Sequence, residues 1–155
     1  MPDRPESRVR TLRTQRYVNL AVRGLLRTPL LSRLAGRRLV VLHVIGRTSH
    51  RRYTIPVAYL KDGDALLIGT SAPWSRNLRT GTPITVRLAG RLREASVHVA
   101  TSEPDVVDAY THMVRANPVF ARFNAIRTDA SGEPDPEDLH RAWRDGARAI
   151  RLNPT

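Results

Sequence analysis

Five β-rich runs follow one another between residues 38 and 100, most of them joined by short connections. Leu39 to Ile45 is aliphatic apart from His43 and reads as a buried strand. Tyr53 to Leu60 reads as a second strand, Ala65 to Thr70 as a third, Ile84 to Leu88 as a fourth and Arg91 to Ala100 as a fifth. Asp62-Gly63-Asp64 and Ala89-Gly90 are hairpin turn signals. Turns this short join antiparallel neighbours, because parallel strands need a crossover of about a dozen residues. The chain is therefore expected to form an α+β fold, an antiparallel barrel with strands near 38–45, 52–60, 65–70, 83–88 and 91–100 and helices at its edges. Strands and helices do not alternate, and no Gly-rich dinucleotide fingerprint or GxxxxGK[ST] phosphate loop occurs.

The helices are expected outside this run. Residues 1–13 are polar, basic and unpatterned and read as a loose tail, leaving 14–155 as one domain. A helix begins at Thr14 with Val18, Val22, Leu25 and Leu26 on one face, and Pro29 ends it. A shorter helix spans Leu30 to Ala35. Ser102-Glu103-Pro104-Asp105 opens another, with Val106, Tyr110, Met113 and Val114 as its apolar face. Asn117-Pro118 breaks it, and a short helix with Phe120 and Phe123 follows. Pro136 to Asp145 reads as the last helix, before a final strand from Ala147 to Leu152.

Charge is unevenly placed. Residues 1–60 hold thirteen arginines against Asp3 and Glu6, whereas residues 101–145 hold five arginines against nine acids. Such asymmetry points to an anionic partner: nucleic acid, a membrane surface or a cofactor. The arginine-edged N-terminal helix either packs on the barrel or meets a membrane surface. No apolar run approaches the ~20 residues that span a bilayer, and the N-terminus lacks a signal peptide's apolar core, so a cytoplasmic protein is expected, with membrane association through that helix as the variant. Without cysteine there are no disulfides, thiolate nucleophiles or zinc–thiolate sites. The five histidines show no metal-ligand spacing, and no Gly-x-Ser-x-Gly elbow occurs, so neither a metal site nor a nucleophilic triad is expected.

Between the first two strands lies Gly46-Arg47-Thr48-Ser49-His50-Arg51-Arg52. A loop anchored at both ends by strands can bring amides, hydroxyls and guanidinium forks to bear on one anion. Taken alone, it reads equally well as a solvated hairpin turn.

The loop is continued by Tyr53-Thr54-Ile55-Pro56, then by Asp62-Gly63-Asp64, Gly69-Thr70-Ser71 and Trp74-x-x-Asn77-Leu78. In order and spacing these pieces resemble the deazaflavin-dependent nitroreductase family, small split-barrel proteins that use coenzyme F420. The resemblance covers residues 36–100 well and the remainder loosely. It implies an oxidoreductase that passes a hydride from the reduced deazaflavin to a small electron-poor acceptor, a quinone or a nitro compound, with FMN as the alternative cofactor.

The resemblance also implies roles for residues. Arg47, Thr48 and Ser49 match the loop that holds the coenzyme's phosphodiester and acidic tail, with Arg51 and Arg52 as adjacent cations. His50 stands where the family has Gly, at a place where Gly would permit positive φ. Pro56, Val57, Gly69 and Thr70 match the backbone that lines the deazaflavin ring. Ser71 matches a hydroxyl near the ring or the acceptor, and reads equally as a loop serine in a local turn. Trp74 matches a cofactor wall, and Asn77 either joins that site or ties the barrel by hydrogen bonds. The connection between Ser71 and Trp74 is shorter than in the family. Asn117, Phe120 and Phe123 fall where some members carry substrate-side tyrosines, so an apolar acceptor suits this wall. A homodimer is expected by analogy of fold. Two other functions stay open: a nucleic-acid-binding module, disfavoured because few aromatics interleave with the basic stretch, and a non-catalytic carrier of F420 or flavin.

Overall fold

The computed structural model describes residues 38–155, and the expected N-terminal tail and helices lie outside them. Seven strands form one antiparallel sheet: β1 (Leu39–Ile45), β2 (Arg52–Ala58), β3 (Leu60–Asp62), β4 (Ala65–Thr70), β5 (Ile84–Leu88), β6 (Arg91–Ala100) and β7 (Arg148–Pro154). Their order across the sheet is β2-β1-β5-β6-β7-β4-β3. Tight turns set the registers. Leu88 pairs with Arg91 across Ala89 and Gly90, both at positive φ, the backbone a two-residue type I′ hairpin requires. Gly63 supplies the positive φ between Asp62 and Ala65.

The single strand expected over 52–60 is two strands. β2 and β3 occupy opposite edges of the sheet, yet only Tyr59 separates them in sequence. Adjacent Cα atoms are about 3.8 Å apart, so the two edges must meet at Tyr59. The sheet therefore curls into a half-barrel. Beyond Tyr59 β2 leaves the β3–β4 ladder and lies beside β1, so the barrel is split.

Side-chain alternation fills the barrel. Val40, Leu42 and Val44 of β1, Ile55 of β2, Leu66 and Ile68 of β4, Val86 of β5, Ala95 and Val97 of β6, and Ile150 and Leu152 of β7 form one buried cluster. Each fully buried aliphatic side chain contributes about 1.5–3 kcal/mol of transfer free energy. Leu67 of β4 and Ala149 of β7 have the opposite parity and meet a second cluster.

The second cluster belongs to three helices: α1 (Glu103–Ala116), α2 (Pro118–Phe123) and α3 (Pro136–Arg144). Ser102 caps α1, Asn117 caps α2 and Asp135 caps α3, each with proline in the first turn. Val106, Tyr110, Met113 and Val114 of α1 pack with Ala121 and Leu139 over the β4–β7 face. Asp138 is buried with its carboxylate in the Arg127 fork, 2.9 Å from Nε, and accepts the Arg127 amide at 2.8 Å. These hydrogen bonds hold the Asp138 carboxyl well below the usual carboxylate range.

Candidate functional site

The loop between β1 and β2 is closed by two backbone bonds. The Gly46 amide donates to Arg51 O at 2.8 Å, and the His50 amide donates to Gly46 O at 2.9 Å. His50 has φ +53, the left-handed conformation that Gly adopts most easily. Gly46 is required for a different reason. A Cβ there would lie 2.4 Å from Ser49 Oγ and 2.8 Å from the Tyr53 ring. That space lets the Ser49 and Tyr53 hydroxyls approach to 2.9 Å, with the Arg51 amide donating to Ser49 Oγ at 3.4 Å.

Every residue from Arg47 to Arg52 is exposed. Among the described residues, no carboxylate lies within ion-pair distance of Arg47, Arg51 or Arg52, and the Thr48 and Ser49 amides have no hydrogen-bond partner. Arginines on the helical side are differently placed: Arg115 is bidentate to Glu133, Arg127 and Arg141 meet Asp138, and Arg151 meets Asp62. Among the described residues the loop is thus a set of donors and cations without counter-charge. Its chemistry fits an acceptor-only, doubly or singly charged oxyanion such as a phosphodiester.

The loop is fixed from a distance by Asn77. The Arg47 amide donates to Asn77 Oδ1 at 3.0 Å, and Asn77 Nδ2 donates to Trp74 O at 3.1 Å. Both ends of the Asn77 amide are therefore engaged by protein. The residue ties the loop to the turn that carries Trp74. Asn77 closes a 3-10 turn, Pro73–Asn77, in which the buried Ser75 hydroxyl donates to Ala72 O at 2.8 Å. Trp74 packs against the barrel interior.

The split separates two stretches that one continuous ladder would pair. β3 pairs only with Ala65 to Leu67, Leu60 opposite Leu67. Continued past Tyr59, that register would set Ala58 opposite Gly69, Val57 opposite Thr70 and Pro56 opposite Ser71. β2 lies beside β1 instead, so Pro56 and Val57 stand on one side of the split and Gly69 and Thr70, paired with β7, on the other, with Ser71 just beyond. Proline in β2 is tolerated because β2 is an edge strand. Thr70 Oγ1 accepts the Ala72 amide at 3.0 Å, and Ser71 is exposed.

The space over Gly69 is already filled. A Cβ there would lie 2.6 Å from Phe120 Cζ and 3.1 Å from Met113 Cε. Gly69 thus admits a ring on its helical side, and that ring is Phe120, itself edge-on to Tyr110 with centroids 5.1 Å apart. Asn117 does not project as a wall: its side-chain oxygen accepts the Val119 amide at 3.0 Å as the α2 cap. Phe123 is 71% exposed, so Phe120 and Phe123 do not share one packed surface. Tyr110 is buried, its hydroxyl has no partner among the described residues, and burial pushes its phenol above the ordinary value. At the opposite end of the barrel, Tyr59, Lys61, Leu66, Leu88, Arg93 and Pro154 surround a cavity of about 340 Å³. No cluster of three metal-ligating side chains occurs among the described residues.

Sequence reasoning missed Tyr53 as the partner of Ser49. The spacing of four residues across the turn was its only signal.

A model of the F420H(2)-dependent quinone reductase family matches residues 11–131. The chain belongs to this family. It is accordingly an oxidoreductase with coenzyme F420 as hydride donor and a quinone as acceptor. No curated protein matches the sequence. Similar solved structures include an F420H2-dependent reductase, FDR-A, at 14% identity over 75% of this chain and 94% of that one, with a TM-score of 0.48. A Listeria innocua protein named for pyridoxamine 5′-phosphate oxidase is similar at 12% identity over 81% and 90%, also at 0.48. A domain-swapped dimer is similar at 12% identity over 94% and 99%, again at 0.48.

Proposed function

We propose that this quinone reductase holds the phosphodiester and acidic tail of F420 in the Arg47–Arg52 loop and lays the deazaflavin along the split of the barrel. One observation carries the reading: among the described residues the loop's exposed arginines have no carboxylate partner and two of its amides no acceptor, while the Arg47 amide is locked to Asn77. Arg47, Arg51 and Arg52 neutralise the tail, and the Thr48 and Ser49 amides and hydroxyls orient it. When bound, the reduced coenzyme supplies the hydride. The protein's part is positioning. Pro56 and Val57 on one side of the split and Thr70 on the other border the ring, with Gly69 backed by Phe120 so that the ring has a firm floor. Ser71, exposed just beyond Thr70, donates a hydrogen bond to the acceptor's oxygen. Phe120, packed over Gly69, gives this wall an apolar character that suits a quinone, while Phe123 is a separate, exposed apolar side chain.

The test is a fluorescence titration of the full chain with oxidised F420, with FMN and with an oligonucleotide. Saturable binding of F420 in preference to both others supports the reading. A salt-sensitive complex with the oligonucleotide alone removes it.

We read the protein as a cytoplasmic homodimer. Val41, Ile45 and Leu92 share the outer face of β1, β5 and β6, where Ile45 and Leu92 are exposed. Light scattering at micromolar concentration checks the mass. The arginine-rich N-terminal segment suits an anionic membrane surface, which co-sedimentation with acidic lipid vesicles checks.

A further inference from the structure

We propose that Tyr53 is a positioning residue for the coenzyme: its phenol fixes the Ser49 hydroxyl as an outward-pointing donor to the phosphodiester. The inference rests on the reading of the loop given above and adds to it a residue that the family's loop positions do not include.

The two hydroxyl oxygens are 2.9 Å apart. A phenol is far more acidic than an aliphatic alcohol and is the better donor of the pair. The Arg51 amide, which can only donate, also points at Ser49 Oγ, at 3.4 Å. With donors from Tyr53 and Arg51 on its oxygen, Ser49 has its own proton left to give. The Ser49 side is exposed, so that proton turns toward solvent and any ligand there. Donors aimed at a hydroxyl oxygen strengthen the hydrogen bond that the hydroxyl gives onward. The resulting site matches a ligand that only accepts, and an ionised phosphodiester is such a ligand.

Tyr53 is well placed to impose this. Its side chain packs partly against the barrel interior, anchored by β2. Gly46 leaves room for the pair, since a Cβ would collide with both Ser49 Oγ and the Tyr53 ring. The strand, the ring and the missing Cβ together preset one rotamer of Ser49 before any ligand arrives.

The experiment is a double-mutant cycle on the dissociation constant of oxidised F420, read by fluorescence on Tyr53→Phe, Ser49→Ala and the double variant, with Arg47→Ala alongside. A second ligand, the deazaflavin head without the phosphodiester tail, is titrated against each. Tyr53→Phe and Ser49→Ala should each weaken F420 by about three- to tenfold. The double variant should be no weaker than Ser49→Ala alone, and affinity for the tailless head should not move with Tyr53→Phe. A merely structural Tyr53 would weaken both ligands alike, and that result overturns the proposal. So does full additivity, or an unchanged F420 affinity in Tyr53→Phe while Arg47→Ala weakens it, in which case the loop reading stands. If Arg47→Ala also leaves F420 affinity unchanged, the loop reading falls, and the proposal with it.

Discussion

Asn77 Oδ1 receives the backbone N–H of Arg47 at 3.0 Å across thirty positions of sequence. A backbone amide that would otherwise be free at the tip of an exposed loop is thereby fixed, and the loop is tied to the 3-10 turn that follows β4. Asn77→Ala removes the tie and leaves the Arg47 amide to water. The expected effect is a loss of about 0.5–1.5 kcal/mol in F420 affinity, with a smaller change in turnover at saturating coenzyme. Asn77→Asp, which keeps the acceptor, should retain the amide bond while its charge repels the coenzyme's tail. Isothermal titration of both variants separates geometry from charge.

His50 adopts φ +53, the left-handed conformation that Gly adopts most easily. A non-Gly residue held there stores strain, so His50→Gly should raise stability by about 0.5–1 kcal/mol. Chemical denaturation of the two proteins measures it. A destabilised variant would mean that the His50 side chain contributes packing.

Gly69 and Phe120 are in mutual contact through the missing Cβ. Gly69→Ala should cost about 1–3 kcal/mol by overpacking, seen as a fall in melting temperature. Combining it with Phe120→Leu should recover part of the loss, because the smaller side chain clears the Ala methyl. Additive losses in the double variant would contradict this account of the contact.

The Asp138 carboxyl is depressed chiefly by its hydrogen bonds to the Arg127 side chain, then by the Arg127 amide. A carboxylate depressed in the folded state contributes stability that is present above its unfolded value of about 4 and lost as pH falls through the folded value. Melting temperature should therefore drop in acid below about pH 4, and Asp138→Asn should melt lower at neutral pH with a flatter acid limb.

Much of the fold was legible because it is local. Alternating apolar residues placed the strands, Ala89-Gly90 and Asp62-Gly63-Asp64 placed the hairpins, and Ser102 and Asn117-Pro118 bounded α1. What escaped was long-range. No local pattern shows that the chain steps from one sheet edge to the other at Tyr59, since tyrosine is a residue type that strands favour and the crossing is decided by which partners β2 and β3 find. The motif loop stood out by its arginines, but its support by Asn77 lies thirty residues away. Gly69 is plain in the sequence, yet its neighbour is a phenylalanine from a helix about fifty residues later, and only packing reveals that.

The most direct measurement is the dissociation constant of F420 for Arg47→Ala against the unaltered chain. A charge-assisted contact with the phosphodiester predicts a loss of about 1.5–3 kcal/mol, on the order of ten- to more than a hundredfold in affinity, with turnover at saturating coenzyme far less affected. An unchanged dissociation constant would contradict the account, because the loop would then not be where the coenzyme's phosphodiester is held.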